Sequence, residues 1–94
     1  MEIMRVKDEL VCTRRVPGLK TASLRVLVGQ MGEITVATDP VGVPVGKWVF
    51  TTSGSAARYA MPDVTVTTDL TICGIIDNWE VDAPDVEMRL KNAA

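Results

Sequence analysis

Residues 46–60 read GKWVFTTSGSAARYA, and the change of character inside this stretch decides the fold. Up to Thr52 the residues are Trp, Val, Phe and Thr, which suit a half-buried pleated strand, whereas Ala56, Ala57, Arg58 and Ala60 favour a helix. Ser53, Gly54 and Ser55 form the joint. Ser55 is expected to cap the new helix by accepting from backbone N–H groups of its first turn. Met61 and Pro62 end the helix, because proline cannot continue it. The stretch therefore predicts strand, turn and one short helix, and the chain on either side of it supplies the surrounding strands.

Working backwards, residues 2–14 alternate so that Met4, Val6, Leu10 and Cys12 share one face, which predicts a long first strand. Asp8 falls on that same apolar face and predicts a bulge or bend, of the kind that lets one strand serve two sides of a small barrel. Residues 23–28 and 33–38 are β-favouring runs separated by a glycine-flanked loop of hairpin length. Residues 39–46, DPVGVPVG, hold two prolines and two glycines and predict an ordered loop. Working forwards, residues 64–68 predict a short β segment. Residues 70–76, LTICGII, are apolar on both parities, as in a strand covered on both faces. The expected fold is all-β: a five-stranded, OB-like antiparallel barrel with one short α-helix and a C-terminal tail. A split β-sandwich is the competing architecture.

At 94 residues the chain has room for one domain and a single core. Its apolar runs are far shorter than the ~20 residues that cross a bilayer, and residues 1–5 lack the pattern of a secretory signal, so the expected compartment is the cytoplasm and no membrane partner is expected. Cys12 and Cys73 are then expected as buried free thiols, with a structural disulfide the other reading. Charge is uneven along the chain. Six bases face three carboxylates up to Arg25, and four bases face nine carboxylates after it. Such asymmetry suits a surface that docks like-shaped neighbours; two solvated faces would read the same way.

The sequence contains no histidine, which removes Ser-His-Asp and Cys-His catalysis, the usual imidazole metal ligands and the commonest general base. A Ser-Lys pair of Ser53 or Ser55 with Lys47 is the remaining nucleophile arrangement, against the plainer reading of turn serines. Asp39, Asp63, Asp69 and Asp77 could pair as acid and base, but each also has an ordinary turn reading. GVPVG at residues 42–46 lacks the GK[ST] continuation of a phosphate loop. Four aromatics and a net charge of −2 argue against nucleic acid as a partner. No cofactor, metal ligand set or catalytic residue is expected, and the chain is not expected to be an enzyme.

The corner with its SGSAAR and the run TDLTICGIIDNW at residues 68–79 together closely resemble the pentameric vertex proteins of bacterial microcompartments, the EutN/CcmL type. In that family a strand ending in an SGSxAR-like turn is followed by a GIID-like strand. The similarity extends over residues 1–79 and includes the opening MEIMRV, the TRRVPGLK turn and the DPVGVPVG loop. Within the family the chain looks most like the second of the two α-carboxysome vertex paralogues. The resemblance implies a homopentamer at the five-fold corners of a carboxysome shell in the cytoplasm, a compartment of carbon dioxide fixation, beside hexameric or pseudohexameric shell proteins. It implies that Ser53, Gly54 and Ser55 surround a narrow pore on the five-fold axis, Gly54 letting backbones approach closely. It also implies subunit contacts at Arg58, Gly74, Ile75, Ile76, Asp77 and Trp79, with an Arg58–Asp77 pair across the interface. Residues 1–80 would form the vertex domain, and residues 81–94 a tail that is partly flexible or docked on a neighbouring subunit. The alternative function is an oligomeric OB-like barrel that binds a small ligand or single-stranded nucleic acid.

Overall fold

Strand β1 (Glu2–Glu9) is the spine of the barrel in the computed structural model, which describes residues 1–77. It pairs antiparallel with β2 (Leu24–Gly29) on one side and with β4 (Trp48–Ser53) on the other, so this strand does serve two sides. Met4 and Val6 are buried in the core. Opposite β2 the register slips between Val6 and Asp8: Val6 faces Leu27 and Asp8 faces Val26, which leaves Lys7 as the extra residue. The bulge turns the Asp8 carboxylate out to solvent, as its place on an apolar parity requires. The strand is shorter than its alternation suggests. It stops at Glu9 rather than Arg14, because after Leu10 N–H donates to the Leu24 carbonyl no partner strand continues among the described residues. The chain instead reaches a single 3-10 turn at Pro17–Leu19.

β2 and β3 (Ile34–Thr38) form the expected antiparallel hairpin, and β4 pairs antiparallel with β5 (Leu70–Ile75). The closed order is β1-β2-β3-β5-β4. One junction departs from a wholly antiparallel barrel: β3 meets β5 in parallel, at Thr38 opposite Thr71. β5 is apolar on both parities for a specific reason. Its ladder with β4 slips between the Phe50–Gly74 and Thr51–Ile72 pairs, so that Cys73 is the bulged residue. Ile72 and Ile75, three apart, therefore both pack on the core, and Gly74 lies on the outer side under Phe50.

The core is built from Met4, Val6, Leu27, Ala37, Val49 and Ile72, and the loop after β3 adds Val43. Asp39 organises that loop. Its Oδ1 accepts from the Val41 and Gly42 N–H groups, both at 2.9 Å, and its Oδ2 from Val43 N–H at 2.7 Å. The same Oδ2 lies 3.2 Å from Arg25 Nε, with the Asp39 side chain fully buried. At the parallel junction Thr71 donates to the Ala57 carbonyl at 2.7 Å. With that proton committed, it accepts from Thr38 at 2.9 Å. Buried polar groups are thereby satisfied where β3 and β5 share a single paired position.

The β segment expected at residues 64–68 does not form. Asp63 Oδ1 instead accepts from Thr65 N–H at 2.9 Å and from the Thr65 hydroxyl at 2.6 Å. Val66 is buried, and Thr67 N–H donates to the Gly18 carbonyl at 3.0 Å. A local side-chain turn has displaced the β preference of Val and Thr. Cys12 and Cys73 are both free and half-buried.

Candidate functional site

The corner after β4 is held by backbone geometry. Ser53 ends β4 opposite Leu70, and Gly54 adopts φ 68°, ψ −149°, a region open almost only to glycine. Its N–H donates to the Asp69 carbonyl at 2.9 Å, and its carbonyl accepts from Ala57 N–H at 3.1 Å. Helix α1 (Ser55–Tyr59) begins at once. Ser55 does not cap it: Gly54 occupies the N-cap position, with no side-chain cap bond, and Ser55 is the first helical residue. The cap must lie outside the helix, and with the strand running to Ser53 only Gly54 is left for it. A Cβ on Gly54 would meet nothing within 4 Å among the described residues, so there the glycine is required by φ and not by space. Ala57 is fully buried where α1 packs on β4 and β5. Ser53, Ser55, Ala56, Arg58 and Tyr59 face solvent.

The corner and the GIID run lie at opposite ends of the β4–β5 ladder, Ser53 pairing with Leu70 and Val49 with Ile75. Arg58 and Asp77 are both exposed and do not pair within the protomer. Of the GIID residues, Ile75 packs on the core, while Ile76 is half-buried and its N–H donates to the Trp48 carbonyl at 2.9 Å. Trp79 lies outside the described residues, as does the tail. The alternation along β1 and β4 carries one feature that sequence reasoning left aside. Ile3 faces Phe50 and Arg5 faces Trp48, with the Arg5 guanidinium 6.0 Å from the Trp48 ring. Phe50 in turn lies over Gly74, where a Cβ would come within 2.6 Å of the ring. This makes an apolar outer stripe leading to Ile76. Outward alternation at Ile3, Trp48 and Phe50 was its signal.

The catalytic arrangements weighed on sequence do not assemble. Lys47 precedes β4 and Ser53 ends it, which at ~3.3 Å per residue separates them by roughly 20 Å. Asp39 is occupied by Arg25 and three N–H groups. Asp63 is held by Lys20, whose Nζ lies 2.5 Å from Oδ2. The Lys20 hydrogen bond, followed by those of Thr65, keeps the Asp63 carboxyl well below its ordinary range. A depressed folded-state pKa adds stability that is present above the unfolded value, near 3.8, and is lost as pH falls below it. The gap in melting temperature between wild type and D63N is therefore expected to close as pH is lowered from 6 toward 2, read by calorimetry. A gap that is constant across that range would overturn this reading. Beside the corner, an open cavity of about 400 Å³ is lined by Met1, Glu2, Glu33, Ser53, Asp69 and Leu70.

Comparison with known proteins follows the same outline. The family model described as ethanolamine utilisation protein EutN/carboxysome matches residues 1–77. The chain is 60% identical over 79 residues to the carboxysome shell vertex protein CsoS4B of Halothiobacillus neapolitanus, covering 84% of this chain and 98% of that one. The solved structure of CsoS4B from Halothiobacillus neapolitanus superposes with a TM-score of 0.79 at 59% identity, covering 83% of this chain and all of that one. The pentameric shell protein MSM0273 from the RMM microcompartment superposes with a TM-score of 0.77 at 26% identity, over 89% of this chain and 99% of that one. A closed five-stranded barrel, the SGSAAR corner and the match over every described residue agree, and the chain belongs to the EutN/CcmL family.

Proposed function

We propose that this chain is a shell vertex protein of a carboxysome, a structural component and not an enzyme, assembled as a homopentamer. The observation that carries the reading is the 60% identity to a carboxysome shell vertex protein across nearly all of that protein's length. It also favours this function over a barrel that binds a small ligand or nucleic acid. Geometry makes the function intelligible. Hexagonal tiles alone build flat sheets, and five-fold units inserted among them create the corners that close a shell. A head-to-tail contact whose rotation closes after five copies makes such a unit, and each copy then presents two different faces.

Residues 1–80 are the vertex domain, and residues 81–94 are appended to it. Ser53, Gly54 and Ser55 lie near the five-fold axis, and the shell partners are hexameric or pseudohexameric proteins of the same compartment. Subunit contacts form at Arg58, Gly74, Ile75, Ile76, Asp77 and Trp79, with Arg58 meeting Asp77 of the adjacent copy. The exposure of both charges at opposite ends of one ladder supports this pairing, since a head-to-tail ring brings unlike ends together. Light scattering is expected to give five times the 10.2 kDa chain mass, and a monomer at micromolar concentration would overturn the proposal. In R58E the pentamer is expected to dissociate at roughly tenfold higher concentration or more, the loss of a charge-assisted contact worth about 1.5–3 kcal/mol per interface. An unchanged pentamer population in native mass spectrometry on dilution would remove Arg58 from the interface. Mixing with shell hexamers and scoring closed against elongated particles tests the partner.

A further inference from the structure

Between the segment after β1 and the β2–β3 hairpin runs an apolar groove of about 410 Å³, lined by Leu10, Cys12, Leu19, Leu24 and Val36, with Arg14, Arg15 and Asp69 as its charged residues. Val36 stays 42% exposed on its wall. Arg14 is exposed and has no acidic partner among the described residues. The groove thus offers apolar surface beside a net positive charge, two arginines against one aspartate. The chain itself carries the complement. Beyond residue 77, where the family match ends, four carboxylates (Glu80, Asp82, Asp85 and Glu87) outnumber two bases (Arg89 and Lys91) and accompany Val86, Met88 and Leu90.

We propose that this groove receives the C-terminal tail of its own chain, with Val86 and Leu90 as the apolar anchors and the tail carboxylates facing Arg14. Length sets the reach. The groove lies at the end of the barrel where β5 begins, since Thr68 and Asp69 also line it, whereas the tail departs where β5 ends. Returning along the six residues of β5 takes roughly 20 Å, and residues 78–85 span up to about 26 Å when extended. Val86 then arrives at the groove. A tether this short holds the tail at a local concentration in the millimolar range, so modest apolar burial suffices to keep it seated. The docked tail would cover Cys12 and mask the basic flank of the protomer, giving this chain a surface that the matched part of the family does not specify.

Alkylation of Cys12 reads the groove directly, and Cys73, which does not line it, is an internal reference in the same molecule. In the full-length V86D/L90D variant, iodoacetamide is expected to modify Cys12 at least about tenfold faster than in wild type, with Cys73 unchanged, because two buried anchors are lost. R14E is expected to accelerate Cys12 severalfold and provides the answer if the double variant does not fold. Equal Cys12 rates in wild type and in both variants would overturn the proposal. Oxidation of L90C with diamide distinguishes the source of the tail: an intrachain link to Cys12, found as joined peptides in a species of monomer mass, is expected. Interchain ladders on non-reducing denaturing gels would overturn the own-chain assignment.

Discussion

Replacing Asp39 by alanine is expected to lower the unfolding free energy by about 3–5 kcal/mol, the range for breaking a buried ion pair from one side. A domain of this size has roughly 5–15 kcal/mol in all, so the variant should unfold near ambient temperature or lose its cooperative transition. Everything that faces the carboxylate is a donor: the N–H groups of Val41, Gly42 and Val43, and Arg25 Nε. D39N is therefore expected to fall in the same range, although it keeps the shape, because its amide NH2 would face the Val41 and Gly42 N–H groups in one orientation and Val43 N–H and the guanidinium in the other. Among the described residues, Arg25 would be left 13% exposed with Glu9, at 3.7 Å, as its one acidic partner. The consequence extends beyond the loop, since the same contacts seat Val43 in the core and Arg25 Nε also donates to the Val43 carbonyl at 3.3 Å. Urea unfolding measures this, and a D39N protein within about 1 kcal/mol of wild type would show that the loop needs shape and not an all-acceptor group.

Asp39 also marks where sequence reasoning stops. An aspartate before proline reads as a turn residue, and nothing local connects it to an arginine on another strand. Asp8 was legible for the opposite reason: a carboxylate on an apolar parity is itself a contradiction, and a bulge resolves it. The Cys73 bulge left no such trace, because both parities of β5 are apolar and a slip between them does not change the pattern. The parallel β3–β5 junction rests on Thr38 and Thr71, far apart in sequence and unremarkable as residues. At residues 64–68 the β preference was real but had no partner strand among the described residues, and Asp63 offered the backbone a local alternative. The corner was the most legible part, since strand, glycine and helix formers follow one another directly. Only the identity of the cap was misassigned, Gly54 taking the place expected for Ser55.

That corner gives the second large effect. G54A is expected to cost about 1–3 kcal/mol in the folded protomer, the strain of placing a Cβ residue at φ 68°, ψ −149°. Because no atom of the described residues lies within 4 Å of the added Cβ, the strain belongs to the backbone, and G54L should cost about as much as G54A in urea unfolding. Assembly should respond differently. If Gly54 lies near the five-fold axis, five leucines converge there where five alanines would still fit, so G54L should lose the pentamer at concentrations where G54A retains it. Equal assembly of the two variants would place Gly54 away from the axis, leaving it a purely local requirement of the strand-to-helix turn. A larger unfolding cost for G54L than for G54A would instead show that the space around the corner is already filled within one protomer. The two measurements thus separate what the backbone demands of this glycine from what the ring demands of it. The tightness of the corner follows from φ alone, and its place in the shell has to be read from the dependence of assembly on side-chain volume.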